Sequence, residues 1–207
     1  MIQPSCDNYL LTKKYIYDNL IQMQGRSIMN RKKPLIISGF GGVGKTTLAG
    51  KYENVIDLES SKYQFIFPDT TQENREKMKA SMDRQKNSEW PENYIKAIND
   101  AADKYDVVCI RYNGTKEPNF LDTYGIDYIV AHPTKRAFKN HYIKRFRERG
   151  NTEEFIEVIK RYFAICYEKS KNLPDKIVLR DDETLEDALI KMGIELIPKN
   201  LEYDMEK

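Results

Sequence analysis

The sequence predicts a three-layer α/β domain on a mainly parallel sheet of about five strands. Two observations predict it. Short apolar runs rich in β-branched residues recur along the chain, each bounded by polar or turn residues. Between them lie segments whose apolar residues recur at three- and four-residue spacing, the helical period. Strands alternating with helices imply helical crossovers, which set strand neighbours parallel and cover both sheet faces.

In chain order, PLIISG (34–39) reads as the first buried strand, and 45–52 as the helix leaving the glycine cluster behind it. NVIDL (54–58) is the second strand. In 91–104, Pro91 suits a helix's first turn, and Tyr94, Ile95 and Ile98 form its apolar stripe. DVVCIRY (106–112) is the third strand, a helix is predicted over 117–124, and DYIVA (127–131) is the fourth strand. Helix 135–149 carries the stripe Phe138, Tyr142 and Phe146, with its cations on the other faces. Helix 152–170 has Thr152 as its N-cap and Phe155, Ile156, Ile159, Tyr162, Phe163 and Cys166 on one face, which is core packing. KIVL (176–179) and a helix over 183–192 complete the pattern.

Residues 1–33 stand apart as a helical extension, with Tyr9, Leu10, Tyr15, Ile16, Leu20 and Ile21 to lean on the sheet edge or on a partner. Arg26, Arg31, Lys32 and Lys33 read as a solvated basic turn, with contact to a phosphate-rich partner as the alternative.

A chain of 207 residues is long enough for one sizeable core, so residues 34–207 are read as one domain. The 34 basic residues nearly cancel the 32 acidic ones, so no global field draws the protein to nucleic acid or a membrane surface. Cys6, Cys109 and Cys166 are far apart and the only histidines are His132 and His141, a pattern that argues against a zinc site or disulfide scaffold and fits the cytoplasm. No apolar run nears the roughly 18 residues of a membrane span, and no export signal is indicated.

The stretch Gly39-Phe40-Gly41-Gly42-Val43-Gly44-Lys45-Thr46 satisfies G-x-x-x-x-G-K-S/T between a strand and a helix. Its glycines let backbone N–H groups turn inward, and the helix adds its positive end, so a polyphosphate replaces water at little cost. Lys45 is placed at the β- and γ-phosphates, Thr46 on Mg²⁺, and Thr47 at a cap or the α-phosphate. The motif is shared by kinases, GTPases, helicases and motor ATPases, so it calls for ATP or a related triphosphate without naming the reaction.

The third strand ends in Arg111 and Tyr112 with no acid, which counts against helicase, AAA and ABC-type engines. The acids instead follow the second strand: Asp57 and Glu59, two apart, project to one side of an extended segment at a carboxyl end, where α/β sheets deliver ligand groups. Asp57 is the candidate for the metal or the acceptor and Glu59 the second. A solvated acid pair opening a loop with Ser60 and Ser61 is the plainer reading.

On GFGGVGKT (39–46), IDLESS (56–61), EWPENYIKAI (89–98) and HPTKRAFKNHYIKRFRERGN (132–151), the chain resembles the nucleoside monophosphate kinase-like branch of P-loop proteins, particularly the short kinases of bacteriophage and bacterial genomes. The resemblance spans 34 to about 190. It implies a lid beginning near 132–151, whose arginines close over the transferred phosphoryl group; Arg145 and Arg149, four apart, share a helix face, and Arg147 lies on another. A solvated basic helix and a nucleic-acid-binding helix remain alternatives for 135–149. The resemblance also implies monophosphate binding within 68–104, with Arg75 and Arg84 as candidates for its phosphate and Trp90 or Tyr63 for its base. Arg111 is a secondary candidate for a phosphate, or a partner of Asp57 or Glu59.

The reading is an ATP- and Mg²⁺-dependent phosphotransferase acting on a small acceptor, a nucleoside or deoxynucleoside monophosphate, with Lys45, Asp57, Arg145 and Arg149 as its catalytic candidates. The alternative is a nucleotide-binding regulator or slow ATPase that works with a protein or nucleic-acid partner.

Overall fold

The computed structural model describes residues 33–66, 85–111 and 119–199. The expected N-terminal helix, the basic residues before Lys33, residues 67–84 with Arg75 and Arg84, and Tyr112 lie outside them. The chain divides between Lys33 and Pro34 into two units, and the elements of the sheet belong to the second.

Five strands form one sheet: β1 (Leu35–Gly39), β2 (Val55–Leu58), β3 (Val107–Arg111), β4 (Ile129–Pro133) and β5 (Lys176–Leu179). Their order is β2-β3-β1-β4-β5, and every pairing is parallel. The helices are α1 (Lys45–Lys51), α2 (Ser61–Gln64), α3 (Glu92–Ala102), α4 (Phe120–Thr123), α5 (Lys135–Ala137), α6 (Ile143–Glu148), α7 (Glu153–Ser170) and α8 (Leu185–Lys191). β1, from which the glycine loop departs, is buried along its length between β3 and β4. That is why PLIISG reads as a continuous apolar run rather than an alternating one.

The sheet separates two apolar clusters. Leu35, Ile37, Val55, Val107 and Cys109 join Leu48 of α1, Leu185 and Leu189 of α8, and Phe163 and Cys166 of α7. Ile36, Leu58, Val108 and Ile110 join Tyr94, Ile95 and Ile98 of α3. The alternation along β1, β2 and β3 thus divides their side chains between helices on the two faces.

Several expectations shift. β4 lies two residues later than 127–131, because His132 and Pro133 continue the pairing with β5. Asp57 lies inside β2, in register with Cys109, rather than after it. The short α2, read as a loop, begins after Ser60. Phe155 is exposed: it lies in the first turn of α7 and meets Phe146 edge-on. Helix 135–149 is not one α-helix, since Phe138–Tyr142 form a π turn between α5 and α6. The wider turn keeps Phe138, Tyr142 and Phe146 all in the core.

Asn54 clamps the start of β2. Its amide donates to Asp106 Oδ2 at 2.8 Å and to the Glu195 carbonyl at 2.9 Å, and its Oδ1 accepts from the Ile197 N–H at 2.9 Å. The 195–197 segment is thereby held against the edge strand.

Candidate active site

The glycine loop turns between β1 and α1 with Gly42 and Gly44 at positive φ, 81° and 100°. The fold grips it from three sides. Phe40 is fully buried, stacked on Tyr162 at 5.6 Å and edge-on to Phe138 and Phe163. The Val43 carbonyl accepts from the Leu185 N–H at 3.0 Å, tying the loop to the start of α8. At Gly42, an added Cβ would lie 3.2 Å from Phe146 and 3.4 Å from Tyr142. Among the described residues, the N–H groups of Gly42, Val43 and Gly44 make no backbone hydrogen bond, so they stay open to an anion.

Gly42→Ala should therefore destabilise twice, by left-handed strain of about 1–2 kcal/mol and by crowding the two rings. A fall of roughly 2–8 °C in Tm is expected for a chain of this size. Gly50→Ala, in an exposed position of α1 with open space around it, should raise Tm instead. Thermal melts of the two variants check the pair.

Lys45 opens α1, and its ammonium donates to the Gly39 and Phe40 carbonyls at 2.9 and 3.1 Å. Burial lowers its pKa, and the Asp57 carboxylate opposes that shift. Thr46 Oγ1 donates to Asp57 Oδ2 at 2.6 Å. The motif's hydroxyl and the acid of β2 thus meet, although α1 lies between them in the chain. Cys109, beside Asp57 in register, is a neutral thiol: burial pushes it up to about 12, Asp57 adds to the rise and Lys45 opposes it. Thr47 is exposed on α1. Glu59 is exposed and accepts from Ser61 Oγ at 2.7 Å.

A cavity of about 450 Å³ opens where Thr46 and Asp57 meet. It continues past Glu59 and Lys62 along the edge strand to Tyr105 and Lys199.

A hard cation fits this donor set, a hydroxyl and a carboxylate both supplying oxygen. Among the described residues no group of three or more His, Cys, Asp or Glu side chains could cage a metal. Mg²⁺ needs no such cage, since it keeps waters and takes one or two protein ligands beside phosphate oxygens.

Of the basic helix, Arg145 packs on a ring that touches the loop. Its guanidinium lies 5.1 Å over the Tyr142 ring, which itself packs at Gly42, and its Nη2 donates to the Asp182 carbonyl at 2.9 Å. Arg149 caps the end of α6 in the open, just before Gly150 at φ 77°. Arg147 is engaged elsewhere, forked onto Glu153 at 2.7 and 3.0 Å. Lys135, Arg136 and Lys144 pair with Glu168, Asp181 and Glu148. A face whose cations are largely matched by acids offers a nucleic-acid backbone little net charge.

Trp90 and Tyr63 are not free platforms for a base. Trp90 stacks on Tyr94 at 5.3 Å and meets the edge of Phe120, while Tyr63 packs on Tyr94 at 5.1 Å. Arg111 is exposed at the end of β3, and its side chain lies beside the Tyr162 hydroxyl. Asp57 takes Thr46 instead of Arg111.

No family model matches the chain, and no curated protein does. Among solved structures, it is similar to a gluconokinase from Sinorhizobium meliloti 1021 over 77% of this chain and 91% of that one, with 11% identity and a TM-score of 0.34.

Proposed function

We propose that the protein is a P-loop phosphotransferase that moves the γ-phosphoryl of ATP to a small acceptor, a nucleoside or deoxynucleoside monophosphate. The observation that carries the reading is the 2.6 Å contact between Thr46 and Asp57 beside the glycine loop. The acid comes from β2, while β3 ends in Arg111, so among the described residues no acid stands at the end of the strand next to β1, where a motor ATPase carries one. Bound Mg·ATP would supply the phosphoryl group and the metal's charge. Lys45 would neutralise the β- and γ-phosphates, Thr46 and Asp57 would hold the cation, and the loop N–H groups would bind the phosphate oxygens. The loose transition state asks for alignment and positive charge more than for a general base.

Arg145 and Arg149 are assigned to the phosphoryl group in flight. The reading is supported by the anchoring of α6 to the loop through Tyr142 and Phe146, and by the placement of Arg149 where the helix stops. Replacing either arginine with alanine should lower kcat by about 10³-fold or more and change ATP affinity far less. Arg147→Ala, which loses only its fork to Glu153, should leave kcat near wild type. Intact kcat in both Arg145→Ala and Arg149→Ala would end the assignment. The function itself is tested by ADP release from ATP with and without a panel of monophosphates: stimulation by one of them supports transfer, and an equal rate throughout supports a regulator or slow ATPase.

A further inference from the structure

His132 is 2% exposed in β4, one residue before the strand ends. Its Nδ1 lies 2.9 Å from the Pro133 carbonyl. A carbonyl only accepts, so Nδ1 carries the proton of the neutral ring and donates it there. Nε2 is then a bare lone pair, buried and with no partner among the described residues. Tyr167 of α7 meets the imidazole edge-on at 5.5 Å, so the ring links the end of β4 to α7. A second proton has only Nε2 to go to, where nothing stands to accept from it.

The charges around the ring are of the wrong sign for an imidazolium. Lys176 of β5 repels it, and its ammonium is tied to the Ser170 and Lys171 carbonyls. From α5, the Lys135 ammonium lies 4.6 Å over the Tyr167 ring. On α7, Glu168 already accepts from Lys135 at 3.3 Å and from Lys171 at 2.5 Å, and the Cys166 thiol, which burial pushes up to about 12, is neutral. Burial lowers the pKa of His132 below its ordinary 6.5 and Lys176 adds to the fall, while the Pro133 bond opposes it. Two routes lead from this ring to the phosphate loop. The preceding residue, Ala131, pairs with Gly39, and its carbonyl accepts from the Phe40 N–H at 2.8 Å. Tyr167 packs on Phe163 at 5.8 Å, and Phe163 meets Phe40 edge-on at 5.4 Å.

We propose that His132 is an acid-sensitive latch: neutral, it joins α7 to the end of β4 and keeps Phe40 seated; protonated, it loosens that junction and with it the phosphate loop. The unfolded chain takes up the proton at about pH 6.5 and the folded chain only below it, so this stability is present above pH 6.5 and is lost as the pH falls beneath it.

His132→Asn and His132→Phe in the full chain test this. Asparagine keeps a donor for the Pro133 carbonyl, phenylalanine keeps a ring on Tyr167, and neither takes up a proton; if one fails to fold, the other serves. Melts and the Kd of Mg·ATP are measured at pH 7.5 and 5.5, where proton uptake by ATP itself is common to all three proteins. The His132 ring is titrated by NMR; with only two histidines in the chain, His132→Asn assigns its signal. Between the two pH values, wild type is expected to lose about 2–4 °C more in Tm than the variants. Its Kd for Mg·ATP is expected to rise about five-fold more, and its His132 to stay neutral at pH 6.5. Parallel pH profiles in wild type and variants overturn the proposal, as does a His132 that is half protonated at pH 6.5 or above in the folded protein. A difference in Tm with none in Kd also overturns it, since the loop is then untouched. If wild type binds no Mg·ATP at either pH, the phosphate-loop reading falls, and the melts and the titration alone uphold or overturn the latch.

Discussion

Lys45→Ala should abolish ATP turnover, by at least about 10²-fold, while leaving the domain folded. The ammonium contributes to no apolar cluster; its bonds go to the Gly39 and Phe40 carbonyls of the loop it serves. Losing this donor costs about 1–3 kcal/mol at most, less than the fold of a domain this size can bear. Phe40, Val43 and Leu48, which do hold the segment in place, are untouched. Circular dichroism and a melt within a few degrees of wild type would show the fold intact. Unchanged turnover in that folded variant would contradict the role given to Lys45.

Asp57→Asn should cut Mg²⁺-dependent turnover by about 10²-fold, against a few-fold for Glu59→Gln. The difference follows from position. Asp57 is held in the sheet opposite Cys109 and meets the motif threonine at 2.6 Å, while Glu59 lies past the strand, exposed, with Ser61 as a partner. Asparagine keeps the volume and can still accept from Thr46, so what it removes is the charge. Titrating Mg²⁺ against turnover should show Asp57→Asn needing far more cation. Near-wild-type rates for both variants would make the acid pair ordinary surface.

The sheet is legible in the sequence because each strand is a short apolar run between polar or turn residues, and β1 and β3 are buried nearly throughout. β4 reads two residues early because His132 and Pro133 look like the end of a strand, yet both are buried and paired to β5. The meeting of Thr46 and Asp57 can be anticipated, since a complete loop motif fixes one partner and the rule of strand carboxyl ends points to the other. Tyr94 reads only as one member of an apolar stripe. Its hydroxyl meets Leu58 and Arg111, on two strands that approach it only in the folded chain, and no local pattern records that. The same holds for the packing of Phe146 on Gly42 and the bond from Leu185 to Val43, which join elements far apart in sequence. The π turn escapes a sequence reading because Phe138, Tyr142 and Phe146 satisfy the α-helical spacing too.

The most direct test of the central claim is a single turnover with enzyme in excess over ATP labelled at the γ-phosphate, run with and without each nucleoside monophosphate, the products separated and the label located. With one acceptor the label is expected in a nucleoside diphosphate, in a Mg²⁺-dependent step that Lys45→Ala removes. Label found only in inorganic phosphate, at a rate no monophosphate alters, would contradict it.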